Sequence, residues 1–293
     1  MSIALIDLHT HSTASDGTDS PADLVRKAAH AGLRVLALTD HDTLDGLTEA
    51  EEEAGRCGLT FVRGCEISTA TPWGEAHFLG LWIPRNGEKT APLEDALSKV
   101  RVQRKERNIH IAGKLQGLGM DISYEAAEAL AGGRVVGRPH FAELLCRMGL
   151  VKDRKEAFRR YLGKNGLAYV PRMLMSPEEA VSLLKNAGAL VSMAHPRLLH
   201  APLEELERLV AGLKGYGLDA LEAYHSEHDA GDVRICVELA ARYGLQLSGG
   251  SDYHGQAKPN IDIGRGKGGL RVTMSVYETL MDYRCRMGLG EGA

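Results

Sequence analysis

The sequence predicts an α/β protein whose parallel strands close, or nearly close, into a barrel, with a helical segment inserted partway along. Three observations predict it. Short runs rich in Val, Ile, Leu and Ala alternate with helical patterns, and such repetition, about seven units here, implies parallel strands with right-handed crossovers. The chain has 293 residues, 44% of them hydrophobic, which suits one barrel-sized domain with an insertion or two smaller domains. Histidines and acidic residues stand where one apolar run after another stops. In barrels the chemistry gathers at the C-terminal strand ends, whereas an open doubly wound sheet concentrates it at one switch point.

The first strand is expected at Ile3–His9. Helix Pro21–Ala31 follows, with Ser20 as its N-cap, Pro at the first helical position and Gly32 closing it. Strand Val35–Thr39 leads into Asp40-His41-Asp42 and helix Leu44–Cys57, which Gly58 ends. Strand Thr60–Gly64 runs to Glu66, and strand Glu75–Trp82 carries His77. The alternation then breaks. Only helical patterns occur at Leu93–Leu115, Tyr124–Leu130, Pro139–Met148 and Lys155–Leu162. We therefore expect a barrel domain of residues 1–92 and 165–293 and an inserted helical subdomain of residues 93–164. Alternation resumes with helix Pro177–Ala187, capped by Ser176, and strand Ala189–Ala194, which ends at His195-Pro196. Helix Leu203–Gly215, strand Ala220–Tyr224 ending at His225, helix Asp232–Tyr243 and strand Gln246–Ser248 come next. Strand Arg271–Met274 and helix Val276–Met287 finish the chain.

Composition excludes several classes. No apolar run approaches the ~20 residues of a membrane span. The start, MSIALIDLHTH, lacks the basic region and long apolar stretch of a secretory signal. The five cysteines (Cys57, Cys65, Cys146, Cys236, Cys285) are scattered, with no Cys-x-x-Cys pair. That argues against a disulfide framework or thiolate zinc site and fits a reducing cytoplasm. Net charge is −4, yet Lys99 to Lys164 holds 15 Lys+Arg against 7 Asp+Glu, a local +8 that leaves −12 elsewhere. A basic segment beside an acidic body points to an anionic substrate held against bound cations.

His9 and His11 are two apart at a strand end, so both face one side and one cation can take both imidazoles. The pattern recurs at Asp40-His41, Glu66, His77, His195 and Asp252-x-His254. A core without metal would need a partner for each of these groups. Mixed histidine and carboxylate donors suit Mn, Fe or Zn.

Asp7-x-His9-x-His11, Thr39-Asp40-His41-Asp42, Gly64-Cys-Glu66, Ala194-His195-Pro196 and Gly250-Ser-Asp252-Tyr-His254-Gly255 together resemble the motifs of the PHP (polymerase and histidinol phosphatase) family. The order and spacing run from end to end of the chain, outside the insertion. Gly137-Arg-Pro-His140-Phe, Ala168-Tyr-Val-Pro171 and the helical insertion resemble a stand-alone bacterial subgroup of metal-dependent phosphoesterases acting on nucleotides and short RNA. The resemblance implies a distorted (β/α)7 TIM-like barrel with two or three divalent ions. It implies a first site of His9, His11, Glu66 and Asp252, a second sharing Glu66 with His77 and His195, and a third of Asp16, His41 and His254. Asp7, Asp40 and Asp42 either hold ligand histidines or cap turns.

The expected chemistry is hydrolysis of a nucleotide phosphate monoester, with a hydroxide bridging the Glu66-linked metals attacking phosphorus in line. The subgroup resemblance points to the 3′-phosphate of nucleoside 3′,5′-bisphosphates. Alternatives are 5′-3′ exoribonuclease action on short RNA, histidinol-phosphate hydrolysis and a metal-dependent amidohydrolase. A metal-stabilised module without activity, serving a polymerase, is a rival of another class. Arg197, two residues after His195, is the first candidate to clamp phosphate, because the guanidinium fork matches its geometry. Arg134, Arg138 and His140 are substrate-binding candidates from the insertion, and His225 a substrate or proton-transfer residue. Aromatic residues make up only 5%, and extended single strands usually need stacking platforms, so the expected substrate is small or short. No obligate protein partner is evident.

Overall fold

The computed structural model describes residues 5–85, 87–132 and 135–289. Ile3 and Ala4 of the expected first strand, and Arg134, lie outside them. Residues up to Ala96 together with those from Leu174 form one compact unit, and Leu97–Met173 form another.

The first unit is a nearly closed seven-stranded barrel. Its strands are β1 (Leu5–Asp7), β2 (Leu33–Leu38), β3 (Thr60–Thr71), β4 (Gly74–Leu81), β5 (Leu190–Ala194), β6 (Ala220–His225) and β7 (Gln246–Gly250), hydrogen-bonded in sequence order. Helices α1 (Pro21–His30) and α2 (Leu47–Cys57) connect the first three strands. After α3 (Ala91–Gly117) and the helical unit, α7 (Pro177–Asn186), α8 (Leu203–Tyr216), α9 (Ala230–Tyr243) and α10 (Met274–Arg286) complete the wall. Closure comes from the residues just after β1 meeting β7 and the segment that follows it: Leu8 N donates to Gly249 O at 3.2 Å and Asp252 N to His9 O at 2.8 Å. Gly250 permits this approach, because a Cβ there would lie 2.4 Å from His9 Cβ.

The helix boundaries follow local chemistry. Ser20 accepts from Asp23 N to start α1, with Pro21 at its first position. Ser176 and Glu179 form a reciprocal capping box on α7. Gly58 and Gly244 end α2 and α9 in the left-handed region. The barrel core comprises Ile6, Leu8, Val35, Val62, Leu79, Leu81, Leu190 and Ala220, closed by Val272, Leu280 and Tyr283.

Two expectations are corrected. The strands are not all parallel: β4 runs antiparallel to both β3 and β5. β3 continues well past Glu66 to Thr71 and turns back directly, so no helix intervenes to restore direction. The expected strand Arg271–Met274 is also absent as a ladder. Thr273 makes an isolated bridge to Leu5, Val272 O accepts from Ile6 N, and the last helix already begins at Met274.

The second unit holds most of α3, then α4 (Tyr124–Ala131), α5 (Arg138–Arg147) and α6 (Arg154–Ala157), which runs into a wider turn over Phe158–Leu162. Its core gathers Ile111, Leu115, Ile122, Phe141, Leu145 and Leu162. It extends beyond residue 164 because Ala168 is buried in that core, while Tyr169 O and Val170 O accept from Lys114 and Arg107. Part of its basic surplus therefore binds its own backbone.

Candidate metal centre

The carboxylate of Glu66, on β3 and fully buried, is the hub of the barrel rim. Its Oε2 lies 3.3 Å from His9 Nε2, 3.2 Å from His11 Nε2 and 3.0 Å from His41 Nδ1. Its Oε1 lies 3.0 Å from His77 Nδ1 and 3.1 Å from His195 Nε2. Asp252 Oδ1 reaches His9 Nε2 at 3.6 Å, His11 Nε2 at 3.4 Å and His254 Nδ1 at 3.3 Å. Asp16 lies 3.2 Å from His254 Nε2, 3.9 Å from His41 Nε2 and 3.8 Å from His11 Nδ1. The fold thus gathers His9, His11, Asp16, His41, Glu66, His77, His195, Asp252 and His254 into one knot.

The antiparallel β4 explains how His77 joins. β4 descends from the rim, so an early residue of the strand, not its last, lies at the metal end. The register pairs His77 with Ser68 of β3 and Ala194 of β5, the neighbour of His195. Backbone strain marks the same region: His195 (φ 28°), Asp252 (φ 56°) and Asp42 (φ 53°) adopt left-handed conformations, which non-glycine residues hold only when their surroundings impose them.

This donor set fits divalent ions. With metal–nitrogen bonds of about 2.0–2.1 Å, tetrahedral ligand atoms stand about 3.4 Å apart. The contacts of His9 Nε2, including 3.1 Å to His11 Nε2, cluster around that spacing. Three buried atoms of the knot, His11 Nδ1, His41 Nδ1 and Glu66 Oε2, make no well-aligned hydrogen bond, although His41 Nδ1 and Glu66 Oε2 lie 3.0 Å apart, a costly state without a ligand. Ligating groups for an ion occur at His9, His11 and Glu66, at His11, Asp16, His41 and His254, and at His41, Glu66 and His77.

Electrostatics agree. Burial disfavours charge on Glu66, but the imidazoles of His41, His9 and His77 overcome it and hold the carboxyl well below its usual range. Burial likewise opposes ionisation of Asp252 and is outweighed by His9, His11 and His225. His9 is raised well above its ordinary value: burial opposes the shift, and Glu222, Glu66 and Asp252 drive it. His77 is raised to about 10 by Glu66 against burial, whereas burial pushes His195 down to about 4. Without metal, His9 and His77 therefore hold protons that a cation must displace, and apparent metal affinity should rise with pH across the neutral range. Each displaced proton contributes about tenfold per pH unit. Competition with a chelating dye at pH 6.5 and 8.0 checks this, and an affinity flat in pH would contradict it.

The aspartates flanking the ligands hold backbone and serines. Asp7 accepts from Ser251 N and Oγ and from Gly264 N, and Asp40 from Ser12 N and Oγ and from Ser15 Oγ. The residue that holds a ligand ring is Glu222 of β6, which the sequence reading missed. Its carboxylate lies 3.0 Å from His9 Nδ1 and accepts from His195 N at 2.8 Å. The available signal was a buried acid inside the apolar run Ala220–His225. Lys258 was also missed: its Nζ lies 2.6 Å from Asp252 Oδ2.

His225 is buried, with Nδ1 accepting from Glu227 N at 3.1 Å and Nε2 3.4 Å from Asp252 Oδ2. The backbone donor leaves its proton on Nε2. Arg197 Nε donates to Asp232 Oδ1 at 2.9 Å, its one polar side-chain contact among the described residues. Arg138 and His140 belong to the helical unit. Arg138 donates to Leu162 O and covers the Phe158 ring, while His140 Nδ1 accepts from Gly137 N.

A family model described as the PHP domain matches residues 7–164. A 5′-3′ exoribonuclease of Haemophilus influenzae is 36% identical over 249 residues, covering 85% of this chain and 89% of that protein. A 3′,5′-nucleoside bisphosphate phosphatase of Chromobacterium violaceum is 34% identical over 269 residues, covering 89% and 91%. A crystal structure from Bifidobacterium adolescentis, provisionally assigned as a metal-dependent phosphoesterase, superposes with a TM-score of 0.80 at 28% identity over 96% of both chains. Similarity along nearly the whole chain, on a barrel whose rim carries this donor set, makes the chain a member of the PHP domain family and a metal-dependent phosphoric ester hydrolase.

Proposed function

We propose that the chain hydrolyses a phosphate monoester of a nucleotide, with the 3′-phosphate of a nucleoside 3′,5′-bisphosphate as the preferred group. The observation that carries this is the double use of Glu66, whose two oxygens each meet imidazoles from different strands. With both oxygens placed this way, Glu66 would serve as a ligand in more than one metal site. His9, His11, Glu66 and Asp252 would hold one ion, Glu66, His77 and His195 a second, and Asp16, His41 and His254 a third. Mn, Fe and Zn all suit such donors. When bound, divalent ions supply Lewis-acid polarisation of phosphate oxygens and a nucleophile at neutral pH.

The protein groups then have separate tasks. Glu222 keeps the His9 proton on Nδ1, so that Nε2 presents a lone pair. His225, held with its proton on Nε2, can donate a hydrogen bond from Nε2 that stabilises charge on a leaving oxygen. Arg197, anchored through Nε, leaves its terminal N–H groups to clamp non-reacting phosphate oxygens. Arg197→Ala should lower kcat/KM for a phosphate ester about ten- to hundredfold, the worth of a charge-assisted hydrogen bond. Steady-state kinetics at full metal loading check it, and undiminished efficiency would reject the role.

Trimming of short RNA from its 5′ end is the second reading, favoured by the similarity to a 5′-3′ exoribonuclease. No helix among the described residues is long and apolar enough to cross a membrane. The cysteines are unpaired, which fits a reducing cytoplasm.

Metal analysis combined with phosphate release from a nucleoside bisphosphate, 5′-phosphorylated RNA, histidinol phosphate and an N-acetyl compound tests the proposal. Turnover of the bisphosphate is expected. Turnover confined to the N-acetyl compound would overturn it.

A further inference from the structure

A pocket of about 320 Å³ opens beside the metal knot, sharing Asp252 with it and lined also by the neighbouring His225. Its other wall is the loop after the last ligands, which contributes Lys258, Asn260 and Lys267. This loop is braced. Gly264 N donates to Asp7 Oδ2 at 2.7 Å, and Asp262 and Gly266 exchange two backbone hydrogen bonds. Gly266 (φ 56°) packs so closely that a Cβ would lie 2.5 Å from Ser226 Oγ. The lysines are therefore carried on an ordered wall.

The charges have a direction. Lys258 Nζ lies 2.6 Å from Asp252 Oδ2, while Asp252 Oδ1 faces the ligand nitrogens of His9 and His11. Lys267 Nζ lies 3.1 Å from Glu227 Oε1, the one other carboxylate lining the pocket. Taken alone, the two lysines and two carboxylates balance. If Asp252 also holds a cation through Oδ1, its charge would be shared with that cation, less of it would offset Lys258, and the pocket would become more positive. Each ammonium has three donors and only one acidic partner here, so donors remain for an incoming anion.

We propose that this pocket is the subsite for the phosphate one sugar away from the one hydrolysed. That group is the 5′-phosphate of a nucleoside 3′,5′-bisphosphate or the 5′-terminal phosphate of a short RNA trimmed from that end. Lys258 and Lys267 bind its oxygens, and the sugar spans from the metal knot along His225. The inference rests on the nucleotide reading above and deepens it.

Lys267 carries the test because its side chain is 54% exposed, so its replacement does not threaten folding. The ratio of kcat/KM for a nucleoside 3′,5′-bisphosphate to that for the 3′-monophosphate should fall about five- to tenfold in Lys267→Ala and further in Lys267→Glu. Calorimetry with a nucleoside 5′-monophosphate, which keeps only the phosphate assigned to the pocket, should show binding to the metal-loaded protein that weakens by a similar factor. An equal loss on 5′-phosphorylated RNA would extend the subsite to the 5′-terminal phosphate of RNA. A loss confined to the bisphosphate would restrict it to the small molecule. An unaltered substrate ratio, or 5′-monophosphate binding indifferent to Lys267→Glu, would overturn the proposal. A wild-type protein that hydrolyses no phosphate ester would instead sink the functional reading, and the calorimetric titration would still decide the pocket.

Discussion

Glu66→Gln should remove catalysis almost entirely, with kcat/KM falling about a thousandfold or more and bound metal falling with it. Glutamine keeps the volume and one acceptor but loses the negative charge on which five imidazoles converge. Losing several kcal/mol of charge stabilisation in a buried site corresponds to that rate effect. The fold should survive, because the core strands around position 66 are apolar and the substitution leaves no cavity. Elemental analysis, circular dichroism and kinetics on one preparation test this together. A folded Glu66→Gln protein with wild-type metal content and rate would refute the shared-ligand geometry.

Glu222→Gln tests the support beneath the ligands. The carboxylate contacts His9 Nδ1 and the amide of His195, so it orients one ring and one ligand-bearing turn. Burial opposes its charge, and His9, His225 and His195 together hold its carboxyl below the usual range. Such outer partners are typically worth ten- to a hundredfold in metal affinity or activity. We expect a loss of about that size, seen as weaker retention against a chelator. Glu222→Ala should be more severe, since it also leaves the part-buried His195 amide without its acceptor, at a cost of up to about 1–3 kcal/mol. Retention equal to wild type in both variants would remove Glu222 from the metal site.

Acid should act through the same groups. Glu66, Asp252 and Asp16 have folded-state values below their ordinary ones. Their contribution to stability is present above the ordinary carboxylate range and is lost as pH falls through the depressed values.

What could be read in the chain was whatever depends on neighbours in sequence. Strand and helix order, the Ser20 and Ser176 caps and the helical insertion follow from periodicity and capping, which act over a few residues. His9, His11, Glu66, His195 and Asp252 could be picked out because each interrupts or ends an apolar run. Tertiary structure alone decided the direction of β4, the absence of a strand at Arg271–Met274 and the register that pairs His77 with Ala194 and so brings its ring against His195. It also decided the roles of Glu222 and Lys258. Their partners lie at His9 and Asp252, far away along the chain or on a folded-back loop, and no local pattern encodes which buried acid will face which imidazole. Chain direction and register, set by burial over the whole barrel, bring those groups to hydrogen-bonding distance.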